Sequence, residues 1–244
     1  MIKYEIEGGN LPIVICYPEP YQTLCTEKGA MSWMSSNMEM TTNASGGVGK
    51  AFGRLLSKES MFLNEYTPIG KRGMIAFAST FPGSIIPYHV TPGNGIIVQK
   101  GGFLAMEKGL DLSLHFQKKF GRGFLSGEGL IMQKITGDGM VFVEIDGHCK
   151  EYTLMEGETI LIDTGYLAAL TESCDLDVQS VKGVKNALFG GEGFFLTRVT
   201  GPGKVYLQSM PISNMADTLK PYISPPSISA DSSGVNFNLT KPKN

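Results

Sequence analysis

The sequence has few of the residues on which metal and redox sites depend. Its 244 residues include four cysteines and three histidines, and charged residues make up only 18% of the chain. Cys16, Cys25, Cys149 and Cys174 show no C-x-x-C spacing, so neither a zinc knuckle nor a redox pair is indicated. We expect buried free thiols, as in proteins of a reducing compartment.

The sequence also lacks an export signal and a membrane-spanning run. The opening residues MIKYEIEGGN alternate apolar Ile2, Tyr4 and Ile6 with charged residues, which is the pattern of a half-buried strand. The most apolar window, GMIAFASTFPGSIIPYHV, contains Pro82 and Pro87 and is shorter than the roughly 20 residues that a spanning helix needs. We therefore expect a cytoplasmic protein without a membrane span.

An excess of positive charge is missing as well. The net charge is −2, and the lysines and arginines are scattered along the chain without interleaved aromatic residues. A general electrostatic surface for nucleic acid is thus not indicated. The composition argues against a nucleic-acid partner.

One glycine-rich stretch, ASGGVGKAFGR, invites comparison with a phosphate-binding loop. Such a loop needs an opening glycine and a Ser or Thr after Gly-Lys, to hold phosphate and magnesium. Here Ala44 takes the place of the opening glycine, and Ala51 follows Lys50. The stretch therefore predicts a structural bend, and no cofactor is expected.

Glycine itself is abundant, with 31 residues, and this favours short strands joined by tight turns. The chain also contains three copies of one pattern: a glycine-rich entry, a glutamate, an apolar run, a threonine, a turn and a second apolar run. The glutamates are Glu59, Glu128 and Glu192, and the threonines are Thr67, Thr136 and Thr200. In both series the separations are 69 and 64 residues. Upstream of each copy lies a further shared strand, turn and strand.

These repeats predict a mostly β protein with little helix. One copy, of about 65 residues, is too small to bury a good core alone, so the three should share a sandwich-like body. We predict a single β domain over residues 1–215, with repeats at about 17–82, 88–150 and 152–211. Residues 216–244, rich in serine and proline, are predicted to form a C-terminal tail.

The repeated glutamates Glu59, Glu128 and Glu192 have two interpretations. Three glutamates that converge on a pseudo-threefold axis could bind a hard cation. Alternatively, each accepts hydrogen bonds from backbone amides of a glycine-rich turn, a role that recurs because the fold recurs. We favour the structural role, and we predict no catalytic, cofactor-binding or metal-binding residue.

Other candidates give no recognisable site. His89, His115 and His148 occupy unrelated places in the repeats, and Ser126 lacks the G-x-S-x-G elbow of a hydrolase. A cluster of methionines surrounds Trp33, and core filling is the commoner use of such residues. Its members are Met31, Met34, Met38 and Met40.

Several motifs, in order, resemble one family: GAMSWM at 29–34, SGEG at 126–129, IDTGYLAA at 162–169, GGEG at 190–193 and TGPGKVYLQ at 200–208. This family is that of the mitochondrial biogenesis protein "altered inheritance of mitochondria, member twenty-four", and the resemblance covers about residues 1–212. It implies a β-rich fold similar to the tryptophan RNA-binding attenuation protein, with duplicated β units and a capacity to form homo-oligomers. The sequence has no Arg-rich leader, so it resembles the bacterial branch.

The resemblance brings no established active site, so no residue is assigned as catalytic. We predict a non-enzymatic binding or scaffold protein with a protein or small-molecule partner. RNA binding by analogy with the fold is one alternative, and the balanced charge argues against it. An enzyme with an unrecognised site is the other, and it would require a pocket with convergent polar groups.

Overall fold

The computed structural model describes residues 1–27, 29–44, 62–118, 129–180 and 195–223. Within these ranges there are nineteen β-strands, one α-helix and two short 3-10 helices. The prediction of a mostly β protein with little helix is confirmed. The glycine-rich residues 45–54 lie outside the described ranges, so their predicted bend stays a prediction.

Strand β1 (Lys3–Glu7) precedes three sets of six strands, which we call units 1, 2 and 3. Unit 1 comprises β2 (Ile13–Tyr17), β3 (Leu24–Thr26), β4 (Met31–Met34), β5 (Met38–Ala44), β6 (Phe62–Pro68) and β7 (Ile75–Ala78). Unit 2 comprises β8 (Gly83–Val90), β9 (Ile96–Gln99), β10 (Phe103–Glu107), β11 (Asp111–Lys118), β12 (Leu130–Thr136) and β13 (Gly139–Asp146). Unit 3 comprises β14 (Cys149–Leu154), β15 (Thr159–Asp163), β16 (Leu167–Thr171), β17 (Asp175–Ser180), β18 (Phe195–Thr200) and β19 (Gly203–Gln208).

The three units have the same antiparallel pairing. In each, the first and third strands flank the sixth, and the second and fourth strands flank the fifth. A β-bulge also occurs at the same place in every third strand, just before Trp33, Ala105 and Ala169. The predicted repeats at 17–82, 88–150 and 152–211 each begin inside the first strand of a unit.

Neighbouring units share sheets, because the second strand of one unit pairs with the third strand of the next. Sheet 1 has the order β1-β2-β7-β4, and sheet 4 has the order β15-β18-β17. Sheet 2, of order β5-β6-β3-β10-β13-β8, joins units 1 and 2. Sheet 3, of order β11-β12-β9-β16-β19-β14, joins units 2 and 3.

Three apolar clusters lie between successive sheets, and the two middle sheets are buried on both faces. Strand β13 illustrates this, because its side chains alternate between faces. Phe142 packs with Val14 and Phe77 of unit 1 in the cluster between sheets 1 and 2. Val141 and Val143 pack in the cluster between sheets 2 and 3. The third cluster lies between sheets 3 and 4 and includes residues of β12, β16 and β18. Within the described parts of the chain, no unit therefore has a core of its own.

After β19 the chain forms helix α1 (Ile212–Leu219) and a 3-10 helix at Lys220–Tyr222. The helix begins before residue 216, where the tail was predicted to start. Its first backbone amide, at Ile212, donates to the side chain of Asp146, and this bond attaches the helix to unit 2. Among the described residues, no helix is both long and apolar enough to cross a membrane.

Strand β1 only partly follows its alternating pattern. Ile2 is 3% exposed and Tyr4 packs its ring edge against Phe142, with ring centroids 5.0 Å apart, but Ile6 is 38% exposed. Strand β1 lies at the edge of sheet 1, where less of the facing sheet covers its side chains.

Candidate functional site

The glutamates singled out in the sequence cannot be placed in the site. Glu59, Glu128 and Glu192 all lie outside the described residues, so their structural role stays a prediction. The candidate site described below is built from other residues.

A cleft of about 500 Å³ lies where sheets 2 and 3 meet helix α1. Much of its polar lining comes from three strands: Gln99 is the last residue of β9, Glu144 and Asp146 lie in the last three residues of β13, and Gln208 is the last residue of β19. Helix α1 contributes apolar surface through Ala216. The site therefore combines residues of units 2 and 3 that are far apart in the sequence.

Glu144 is the most buried acid of the cleft, at 9% exposure, because it lies in a strand covered on both faces. The Thr80 backbone amide donates to its carboxylate at 2.8 Å, and the hydroxyls of Ser79 and Thr80 lie 3.0 and 3.1 Å from it. Burial raises the pKa of Glu144, although these hydrogen bonds partly oppose the shift. Its oxygens are fixed in position by donors at Ser79 and Thr80, and Thr80 also lines the cleft.

Asp146 and Gln208 hold the strands and the helix together at the cleft. Asp146 Oδ2 accepts from the Ile212 amide at 2.8 Å, and burial raises the pKa of the Asp146 carboxyl. Gln208, 6% exposed, donates from Nε2 to Gln99 Oε1 at 3.0 Å and to the Gly165 carbonyl at 2.8 Å. The amide of Asp146 in turn donates to Gln208 Oε1 at 3.3 Å. This network gives the polar lining a defined geometry.

The chemistry of the cleft favours ligands that donate hydrogen bonds. Each carboxylate oxygen can accept more than one hydrogen bond, so Glu144 and Asp146 can accept from a ligand while keeping their protein partners. Among the described residues, two carboxylates and one cation, Lys100, line the cleft, so this lining disfavours anions. Ile131 and Ala168 add an apolar wall against which carbon atoms can pack.

The raised pKa of Glu144 predicts a pH-dependent stability. The folded-state pKa exceeds the ordinary value of 4.5, so ionised Glu144 destabilises the fold at pH 7, and this penalty is relieved as the pH falls through the folded-state pKa. The variant Glu144→Gln lacks this ionisable carboxyl group, so its stability does not contain this pH-dependent contribution. We expect the unfolding free energy of the wild type, minus that of the variant, to increase from pH 7 to pH 5. Urea denaturation of both proteins at the two pH values tests this, and a constant or decreasing difference would contradict it.

A second cleft, of about 550 Å³, includes His89, Glu107 and Asp138. Glu107 is engaged by the protein, because Oε1 accepts from Gln22 Nε2 and Oε2 from the Met140 amide, both at 2.8 Å. His89 Nε2 lies 3.4 Å from Asp138 Oδ1. The Gln22–Glu107 bond joins the β2–β3 connection of unit 1 to β10, and the other contacts join parts of unit 2, so we assign this cleft a structural role.

The four cysteines are free thiols, as predicted, and all except the partly buried Cys149 are buried. Burial raises the pKa of Cys16 to about 12 and those of Cys25 and Cys149 to about 11, so these thiols stay protonated at neutral pH. Burial and the nearby Lys134 lower the pKa of His115. In the part of the chain that the structure describes, no group of three His, Cys, Asp or Glu residues could hold a metal ion.

The predicted core role of the methionine cluster is correct only in part. Met38 is 6% exposed, and Met31 and Met34 pack against the apolar cluster between sheets 1 and 2. Met40 and Trp33, however, are 52% and 43% exposed. Both lie on edge strands, β5 and β4, where neighbouring strands cover the side chains from one side only.

The residues of the first cleft were not predicted from the sequence. A signal was available in MVFVEID, where Glu144 and Asp146 end a nearly continuous apolar run. A run of this kind is typical of a strand buried on both faces, and an acid within it must find hydrogen-bond donors. The glutamines Gln99 and Gln208 carry no comparable signal.

Taken together, the fold defines an antiparallel β protein of three equivalent units that share sheets, with a polar cleft at the junction of the last two. The chain belongs to the family described as Mitochondrial biogenesis AIM24, whose model matches residues 4–210. The family resemblance in the sequence is therefore confirmed.

Relatives in one bacterial species share both sequence and fold. An uncharacterised protein of Streptococcus pyogenes is 29% identical over 222 residues, which is 88% of each chain. The X-ray crystal structure of protein SPYM3_0169 from Streptococcus pyogenes matches with a TM-score of 0.73 and 25% identity. That match covers 91% of this chain and 100% of the other.

Proposed function

We propose that this protein is a non-enzymatic binding protein whose cleft at Glu144 binds a small molecule of about the size of a sugar. The proposed ligand is rich in O–H or N–H donors and carries no negative charge. The observation that supports this most strongly is the position of Glu144: a buried carboxylate, oriented by Thr80 and Ser79, that lines an accessible cleft.

The apolar wall and the volume support the same class of ligand. Ile131, Ala168 and Ala216 offer apolar surface to the C–H face of a ring, while Asp146 and Gln208 contribute polar atoms to the same lining. A volume of about 500 Å³ lies within the range of ordinary small-molecule sites. A sugar with hydroxyl donors on one edge and an apolar ring face suits both walls.

Two features favour binding over catalysis. The side chains that line the cleft include neither a histidine nor a cysteine among the described residues. The thiols of Cys16, Cys25 and Cys149 have raised pKa values, which is the opposite of an activated nucleophile. The buried free thiols also support the proposal of a cytoplasmic location, where disulfides are rare.

A binding series of three matched sugars tests the proposal. Glucosamine carries hydroxyls and an ammonium group, glucose carries hydroxyls only, and glucuronate adds a carboxylate. We expect amide NMR shifts confined to the cleft, around Gly101, Glu144 and Gln208, with glucosamine binding most tightly and glucuronate not at all. The physical reason is that two carboxylates attract the ammonium group and repel the acid.

The variants Glu144→Gln and Asp146→Asn should each weaken glucosamine binding by at least about tenfold, since a charged hydrogen bond contributes roughly 1.5–3 kcal/mol. Glu151→Gln is the matched control, because Glu151 is a 43% exposed acid on β14 that pairs with Lys204 outside the cleft. No shift at the cleft with any of the three sugars, or equal weakening by the control, would contradict the proposal.

A further inference from the structure

We infer that two ion pairs of opposite polarity specify the order in which the three units join. One ion pair lies at the joint between units 1 and 2, and the other lies at the equivalent place between units 2 and 3. If the units exchanged partners, like charges would meet. The ion pairs therefore select the native order of units, and this inference is independent of the ligand proposed above.

The two joints have the same register and similar apolar surfaces. At joint 1, strands β3 and β10 pair, and Cys25 lies opposite Met106. At joint 2, strands β9 and β16 pair, and Ile97 lies opposite Leu170. All four side chains are at most 5% exposed. Burial of apolar surface is not directional, so it does not distinguish the native partners from exchanged ones.

The terminal backbone bonds at the two joints are also the same. The Lys108 amide donates to the Thr23 carbonyl at joint 1, and the Glu172 amide donates to the Gly95 carbonyl at joint 2. Both bonds are 3.0 Å long. The main chain therefore accepts either partner, and side chains must provide the selection.

Each joint carries an ion pair, and the two pairs have opposite polarity. At joint 1, Lys108 Nζ lies 2.9 Å from Glu65 Oε2. At joint 2, Lys134 Nζ lies 2.8 Å from Glu172 Oε2. In both pairs, one partner lies on the fifth strand of the earlier unit, and the other directly follows the third strand of the later unit. The fifth-strand residue is an acid at joint 1 and a base at joint 2.

The register shows that these fifth-strand positions are equivalent. Glu65 pairs with Cys25, and Lys134 pairs with Ile97. Cys25 and Ile97 are in turn the second-strand residues that meet the next unit at each joint. The reversal of charge therefore occurs at one structural position that the fold repeats.

The carboxylates of both ion pairs are largely buried. The side chain of Glu65 is 16% exposed, and that of Glu172 is 15% exposed. Water and salt screen charges in such surroundings less than they do at an open surface. Contact between like charges is therefore costly at these positions.

Exchange of partners would create two such contacts. Pairing of unit 1 with unit 3 would bring Glu65 to Glu172, and pairing of unit 2 with unit 2 of another copy would bring Lys134 to Lys108. Like charges placed together at an interface cost enough free energy to reduce the population of that pairing at least about tenfold. Attraction at the native joints and repulsion at the exchanged joints thus favour the same order of units.

Disulfide trapping during refolding tests this selection. The reporter is Leu170→Cys, because residue 170 takes the place of Met106 and lies opposite Cys25 only if unit 1 pairs with unit 3. In the native fold, Cys25 and residue 170 lie in different sheets. Residues directly opposite in an antiparallel sheet have Cα atoms about 4.5–5.5 Å apart, within the range of a disulfide. The full chain would be refolded from urea under mild oxidation, and peptide mass mapping would give the fraction of chains with this disulfide.

A swap of the charges at joint 1 alone should increase this trapped fraction. In the reporter background, Glu65→Lys combined with Lys108→Glu keeps an ion pair at joint 1 but gives it the polarity of joint 2. The new lysine then attracts Glu172, so exchanged pairing is no longer opposed. We expect the trapped fraction to rise by about tenfold over that of the reporter alone.

The matched control swaps the charges at both joints, by Glu65→Lys, Lys108→Glu, Lys134→Glu and Glu172→Lys. The opposite polarity is then restored, so the trapped fraction should return to the level of the reporter alone. This control also loses the bond from the Gly95 amide to the Glu172 carboxylate, so its stability should fall while its pairing stays native. A trapped fraction that the joint 1 swap leaves unchanged, or that rises equally in both swaps, would overturn the inference.

Discussion

Replacing Phe142 by alanine should lower the free energy of unfolding by about 3–5 kcal/mol. Phe142 lies in β13 of unit 2 and is fully buried. Its ring packs with Val14 and Phe77 of unit 1 in the cluster between sheets 1 and 2, and it makes an edge-on contact with the ring of Tyr4. The substitution therefore leaves a cavity between two units. We expect both units to lose stability together. Amide hydrogen exchange of β2 and β13, measured over a range of urea concentrations, tests this.

The aromatic control for this substitution is Tyr152→Ala. Tyr152 lies on edge strand β14 and is 42% exposed, so its removal should lower the free energy of unfolding by less than about 1 kcal/mol. If Phe142→Ala instead destabilised unit 2 and left the exchange rates of β2 unchanged, the shared core would be contradicted.

Replacing Gly83 by alanine should destabilise the protein by about 3 kcal/mol or more, at the upper end of the effects of overpacking. A Cβ atom at this position would lie 1.9 Å from the backbone oxygen of Ile145. Since that oxygen belongs to the adjacent strand β13, the clash cannot be relieved by a side-chain rotation, and β8 must shift. Thermal and urea denaturation measure the effect.

Gly93→Ala is the matched comparison. A Cβ atom there would meet no heavy atom within 4 Å, but Gly93 has a φ of +79°, so alanine adds only backbone strain of about 1–2 kcal/mol. Gly83→Ala should therefore be clearly the more destabilising. Equal effects would show that the close approach of β8 and β13 is not maintained in solution.

Local patterns in the sequence predicted the hairpins of this fold. Asp138-Gly139 marks the turn between β12 and β13, and Gly201-Pro202-Gly203 marks the turn between β18 and β19. Turn residues of this kind act over a few positions, so they can be identified without knowing the rest of the structure. The recurrence of Thr67, Thr136 and Thr200 in the repeats also matches their place at the end of the fifth strand in each unit, one residue before the end in unit 1.

The sharing of sheets between units could not be predicted in the same way. Strand β3 is only three residues long, and its partner in unit 2 is more than 75 residues away along the chain. No local propensity specifies such a pairing, because it depends on burial of both faces of the sheet. The cleft has the same origin, since Gln99, Glu144 and Gln208 come together only through sheets 2 and 3.

The most direct test of the proposed function is a time course of glucosamine with the protein, followed by NMR of both molecules. We predict saturable shifts of the cleft amides, reduced in Glu144→Gln, while the glucosamine signals keep their full intensity over a day at equimolar concentrations. New product signals that grow with time and are lost in Glu144→Gln would contradict a binding protein and assign catalysis to the cleft.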